Sequence, residues 1–137
     1  MTELEQRIKE QIDYCLEYEY FRSVIWISSV GKMEKVKNIL VKYVNELPDD
    51  IMRRCFQSNE SEFQIDFVLK HSNLKVLKCF DKHRGIKCGG CLIDKDISDY
   101  DKGNLIYTKL IPRIIDIQNG ILERSEEIKT RVHEVVI

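Results

Sequence analysis

Apolar positions recur at steps of three and four through the first twenty residues: Leu4, Ile8, Ile12, Cys15, Leu16 and Tyr20. That period predicts an amphipathic helix over 3–20. Thr2 with Glu5 has the spacing of a capping box at its start. Phe21–Val30 (FRSVIWISSV) is apolar without a clear period. Its β-branched and aromatic residues suit a strand, but no partner strand of similar quality follows, so it reads as a buried helix. Gly31 interrupts the run. Met33, Val36, Ile39, Leu40, Tyr43, Val44 and Leu47 then make the cleanest helical stripe, which Pro48 ends. Asp49 or Asp50 caps a short helix through Phe56, with Ile51, Met52, Cys55 and Phe56 inward, and QSNES (57–61) is a loop.

Ser61 and Gln64 repeat the capping-box spacing and open a segment through Lys70. Phe63, Ile65, Phe67 and Leu69 alternate as in a strand, while Phe63 and Phe67 also stand one helical turn apart; the segment is read as a helix, with the strand as its alternative. Ser72 or Asn73 caps a further helix that carries Leu74, Leu77 and Phe80 on one side. Residues 86–104 are the least regular stretch. Leu105–Val136 reads as one or two helices around Pro112, in which Ile114, Gln118, Ile121, Ser125, Ile128, Val132 and Val135 form a coiled-coil-like lane. The expected fold is therefore mainly α: a single helical domain over 1–137, of six or seven helices with one irregular insertion containing Cys and Asp residues.

Composition narrows the function classes. Lys and Arg number 22 against 23 Asp and Glu, a net charge of -1. Dedicated nucleic-acid binders carry a basic excess, so nucleic acid is not the expected partner. No apolar run approaches the roughly 20 residues of a membrane span, and membrane insertion is not expected. The charged start, MTELEQRIKE, does not read as a secretory signal, which predicts an intracellular protein with reduced cysteines. Alanine is absent and isoleucine abundant, a bias of AT-rich coding sequences such as those of large DNA viruses. In size and composition the chain is similar to small host-directed viral proteins.

Two segments align with each other. Ile27–Leu40 and Val68–Phe80 each show the end of one helix, a polar turn and a helix in which Met33, Val36 and Ile39 match Leu74, Leu77 and Phe80. The pattern resembles the inner half of an ankyrin repeat. The resemblance implies stacked helix pairs that bind another protein, and it carries over no specific binding residues.

The chemically suggestive stretch is Cys79-x3-His83-x4-Cys88-x2-Cys91. Zinc takes four tetrahedral Cys and His ligands, and Gly89-Gly90 would let Cys88 and Cys91 face one ion. The alternatives are a redox pair at Cys88 and Cys91, or plain reduced thiols in a loop. Asp94, Asp96, Ser98, Asp99 and Asp101 suggest a calcium loop, but its required Gly and Glu positions hold Asp99 and Leu105. His71, His83 and His133 are dispersed and lack a nucleophile motif. Trp26 is a core residue, and Lys32, Lys35, Lys37 and Lys42 form a solvated face.

The function expected from sequence is a non-catalytic protein–protein interaction or regulatory module presenting a helical face to another protein or to its own copy. Ile114, Ile121, Ile128, Val132 and Val135 would form a homodimer interface. No cofactor is expected on this reading. The first alternative is a zinc-stabilised regulatory domain, using Cys79, His83, Cys88 and Cys91, that contacts nucleic acid. The second is a small enzyme whose site assembles only in three dimensions.

Overall fold

Thr2 starts the first helix by accepting a hydrogen bond on Oγ1 from the Glu5 N–H at 3.1 Å. This satisfies one of the donors that a helix N-terminus leaves free. The computed structural model describes every residue except Arg84, Arg113 and 117–120; for Asp81, Ile114–Asp116 and Ile121–Leu122 it describes the backbone alone. Helix α1 spans Glu3–Glu17 and buries Leu4, Ile8, Gln11, Ile12 and Cys15. Strand β1 is Arg22–Ile27, and α2 is Met33–Asn45. Strands β2 (Arg53–Asn59), β3 (Glu62–Phe67) and β4 (Ser72–Lys78) follow in succession. Strand β5 is Gly90–Asp94. A short α3 (Asp99–Asp101) runs into a π-helical turn at Lys102–Ile106. Strands β6 (Ile114–Asp116) and β7 (Ile121–Leu122) pair with each other; α4 (Ser125–Lys129) and β8 (Val132–Val135) close the order.

Six strands form one sheet in the order β2-β3-β4-β1-β5-β8. β1 runs parallel to β4 on one side and to β5 on the other, and β8 runs parallel to β5. β2, β3 and β4 form an antiparallel meander. The expectation of a mainly α domain is thus corrected: the molecule is an α/β fold on a mixed sheet. The helical-repeat reading falls with it. Its first copy spans β1 and α2, but its second, Val68–Phe80, contains β4 where a helix was expected.

The physical reason lies in burial. A strand in the parallel middle of a sheet has protein on both faces and loses its alternation. In β1 all five residues from Ser23 to Ile27 are buried, so VIWI carried no strand period. In β3 one face is open, and the alternation of Phe63, Ile65 and Phe67 was the true signal. The helix expected through Phe56 is β2, and the helix expected from Ser72 is β4. Leu105–Val136 divides into helical turns, a two-stranded ribbon, α4 and β8.

Two apolar layers flank the sheet. On one face α1 and α2 cover Ile25, Ile27, Phe63, Ile65, Phe67, Leu74, Val76, Leu92 and Val135. On the other, Ile97, Leu105 and Ile106 cover Val24, Trp26, Leu77, Cys91 and Ile93. Each large side chain so buried contributes about 1.5–3 kcal/mol. This second cover stops short of β2 and β3. There the sheet face carries Arg54, Phe56, Gln64 and Asp66 in register, with Asn73 and Lys75 of β4 beside them. Among the described residues no helix is long and apolar enough to cross a membrane.

Candidate interaction surface

In open sheets with parallel strands, ligands favour the carboxyl ends of strands where the topology switches direction. Here that point lies beyond β1 and β5, since the chain leaves β1 through α2 to β2 at one edge and, after the meander, enters β5 on the other side of β1. Asp94 ends β5 with its side chain 1% exposed. Its Oδ2 accepts from the Ser28 N–H at 2.9 Å and from Lys32 Nζ at 2.8 Å, and its Oδ1 accepts from the Asp96 N–H at 3.1 Å. Lys32 also reaches Asp96 at 2.7 Å. Burial alone would raise the Asp94 carboxyl; the Lys32, Ser28 and Asp96 donors outweigh it and hold the group below its ordinary value. Both carboxylate oxygens are occupied, so the cluster ties the start of α2 to the end of β5. The acidic stretch from Asp94 to Asp101 is therefore not uniformly solvated: it begins with a buried, bonded carboxylate.

Of the four residues read as a zinc set, Cys88 and Cys91 meet, while His83 is held by other partners. Cys79, Cys88 and Cys91 all lie in the second apolar layer, where Cys88 and Cys91 share a hydrogen bond. That bond first, and burial second, push the Cys91 thiol well up. Burial pushes the Cys79 thiol up to about 11. His83 is buried and engaged elsewhere. Its Nδ1 faces the Lys78 carbonyl oxygen at 2.6 Å, and its Nε2 faces Glu62 Oε1 at 2.8 Å. Both ring nitrogens thus face oxygen partners of Lys78 and Glu62 rather than the cysteines. Among the described residues no three His, Cys, Asp or Glu side chains gather as a metal site.

The C-terminal lane does not form a face. Ile114 and Ile121 lie on β6 and β7, Ile128 is buried in α4, and Gln118 is outside the described residues. On β8, Val132 joins the second apolar layer and Val135 the first, so they point to opposite faces of the sheet.

The most exposed strand of the sheet is β2, where a helix with Cys55 and Phe56 inward is expected from sequence. It is one of the two outer strands of the sheet, and six of its seven residues are exposed. The Val68 N–H donates to the Met52 carbonyl at 2.9 Å. By antiparallel alternation Arg54 and Phe56 then direct their backbone groups to β3, and Arg53, Cys55 and Gln57 direct theirs to the free edge. Exposed apolar side chains gather beside it: Met52 at 55%, Phe56 at 46% and Leu69 at 62%. A groove of ≈ 620 Å³ at the start of the strand is lined by Asp49, Ile51, Met52, Arg53, Arg54 and Val68. Cys55 is the one exposed cysteine; burial had been expected. The overlooked signal was the hairpin: two runs of alternating character flank Asn59–Ser61, where Asn59 Oδ1 accepts from the Ser61 N–H at 2.8 Å.

No protein-family model, curated protein or solved structure matches this chain.

Proposed function

We propose that this protein is a non-catalytic interaction module whose binding element is the free edge of β2, and that the strand it pairs with is β2 of a second copy. The observation that carries this reading is the row of outward N–H and C=O groups at Arg53, Cys55 and Gln57, beside exposed Met52 and Phe56. Proteins generally blunt such edges because they template pairing with another chain. An antiparallel, two-fold register centred on Cys55 sets Arg53 opposite Gln57 and Arg54 opposite Phe56 of the second copy. It opposes no like charges, and it uses only residues before the irregularity between Gln57 and Asn59. The groups best suited to chemistry by residue type support a non-catalytic role, because Asp94 and His83 are bonded internally and Cys88 and Cys91 are buried.

The interface is small, so the expected Kd lies between about 1 μM and 1 mM. Sedimentation equilibrium across that range, with and without a mild oxidant, tests the reading. Wild-type protein is expected to shift from monomer to dimer, and oxidation to trap a Cys55–Cys55 disulfide. Cys55→Lys, which places like charges at the centre of the exposed edge, is expected to stay monomeric and folded. A monomer at all concentrations, or a dimer that Cys55→Lys leaves intact, overturns the assignment.

A further inference from the structure

A second cavity, of ≈ 300 Å³, opens at the margin of the second cover, over β1 and β4. Its floor is Arg22 and Val24 of β1 with Asn73 and Lys75 of β4, which are register partners: Arg22 with Asn73, and Val24 with Lys75. Gly85, Ile86 and Lys87 form its wall. Gly85 has φ +89, a conformation that costs glycine little and turns the chain over the floor. Three cations thus line one small space, and no carboxylate lines it among the described residues.

Seven of the other described cations are neutralised. Arg7, Lys32, Arg54, Lys82, Lys102, Arg124 and Arg131 each meet a carboxylate. Arg22, Lys75 and Lys87 have no ion pair and no side-chain hydrogen bond among the described residues. The carboxylate that registers with Asn73 on this face is Asp66, and it is held by Gln64 at 2.6 Å and Arg54 at 3.7 Å. Nearly equal numbers of acids and bases would have allowed this cavity to be neutralised as well. Three like charges around one cavity with no carboxylate among the described lining residues favour the entry of an anion.

We propose that this cavity binds the dianionic phosphate of a small ligand no larger than a mononucleotide. A guanidinium fork and two ammonium groups suit the several oxygens of a phosphate better than a singly charged carboxylate. The Asn73 amide adds a neutral donor, and Ile86 supplies an apolar wall for the remainder of an ester. The volume sits at the lower end of small-molecule sites, which sets the size limit.

Amide chemical shifts of the full chain, titrated at constant ionic strength, test this. The probes are inorganic phosphate, adenosine 5′-monophosphate and, as the monoanion control, acetate. Saturable shifts are expected at Arg22, Asn73, Gly85 and Lys87 with both phosphates, and none with acetate. Lys75→Met and Lys87→Met are each expected to weaken binding about tenfold without changing the far-UV circular dichroism. Tighter binding of the nucleotide than of inorganic phosphate assigns the ester as ligand; equal binding assigns the free anion. Absence of saturation, equal shifts with acetate, or shifts unchanged in both variants overturns the proposal. None of these results depends on whether β2 pairs with a second copy.

Discussion

Trp26 is fully buried between the sheet and its second cover, and its indole N–H has no hydrogen-bond partner among the described residues. An orphaned buried donor costs free energy that the ring's apolar area must offset. Trp26→Phe removes the orphan together with part of the area. The expected loss is less than about 2 kcal/mol, against the roughly 3–5 kcal/mol of a Trp→Ala truncation, measured by urea unfolding. A loss as large as the truncation would show that ring volume alone governs the site. Asp94 has the opposite balance, since every donor around it is used. Asp94→Ala is expected to cost about 2–4 kcal/mol by leaving the Ser28 and Asp96 N–H groups unpaired. Asp94→Asn costs less because one oxygen still accepts. The sign of the pH dependence follows from the depressed carboxyl. Its contribution is full above the ordinary 3.8 and is lost as pH falls through the lower folded value. Glu62, held below its ordinary 4.5 by His83 against the effect of burial, acts in the same direction. Thermal melts from about pH 7 to pH 2.5 are therefore expected to stay level and then fall below about pH 4, less steeply in Asp94→Asn.

At the scale of elements, β5 depends on close approach and the π-helical turn does not. A Cβ at Gly90 would meet Phe21 Cζ at 3.0 Å, Gln11 Oε1 at 3.1 Å and Arg131 Cβ at 3.2 Å. Those side chains are themselves fixed: Gln11 donates to the Arg131 carbonyl and accepts from Ser23, and Arg131 pairs with Glu123. Gly90→Ala is expected to destabilise by about 1–3 kcal/mol. Gly103 lies in the π-helical turn with open space where its Cβ would be, and Gly103→Ala is expected to stabilise by up to about 1 kcal/mol. Chemical denaturation of the pair reads both signs in one experiment. The two helices were legible in sequence because a helix on one side of a sheet buries one stripe, and the stripes from Leu4 and from Met33 are clean. The strands were harder to read for two different physical reasons. β1 is covered on both faces and shows no alternation, while β3 alternates but also carries capping-box spacing at Ser61 and Gln64. Without β1 as a strand, β3 and β4 had no sheet to join, and each was assigned to the helical alternative. The exposed edge of β2 is hidden by the same step, since Cys55 and Phe56 turn inward only if residues 51–56 coil.

For the whole molecule, the cysteines report on how its layers hold together. Cys15 lies on the buried face of α1 in the first apolar layer, and Cys79, Cys88 and Cys91 lie in the second. Burial pushes the Cys15 thiol far up, and Cys79 and Cys91 are raised as well, so these react only when water reaches them. Cys55 is outside both layers and exposed. A disulfide reagent added to native reduced protein is expected to label Cys55 at once and the other four in a slow phase that tracks opening. Residues from both ends of the chain bridge the sheet, as where Gln11 meets Arg131 and Arg7 meets His133 Nε2 at 3.2 Å. β1 pairs with β4 and β5, and β5 with β8, all distant in sequence, so neither layer can open without breaking contacts the other uses. Cys15 is therefore expected to react at the same slow rate as Cys79, Cys88 and Cys91, and that rate to rise with urea in parallel with global unfolding. Peptide mapping of the labelled protein separates the four. Earlier reaction of the second-layer thiols alone would divide the molecule into two units of unequal stability, with the cover built from Ile97, Leu105 and Ile106 as the one that lifts first. It would also make Cys88 and Cys91 accessible to oxidants and metals in a state that is still folded around β1, α1 and α2.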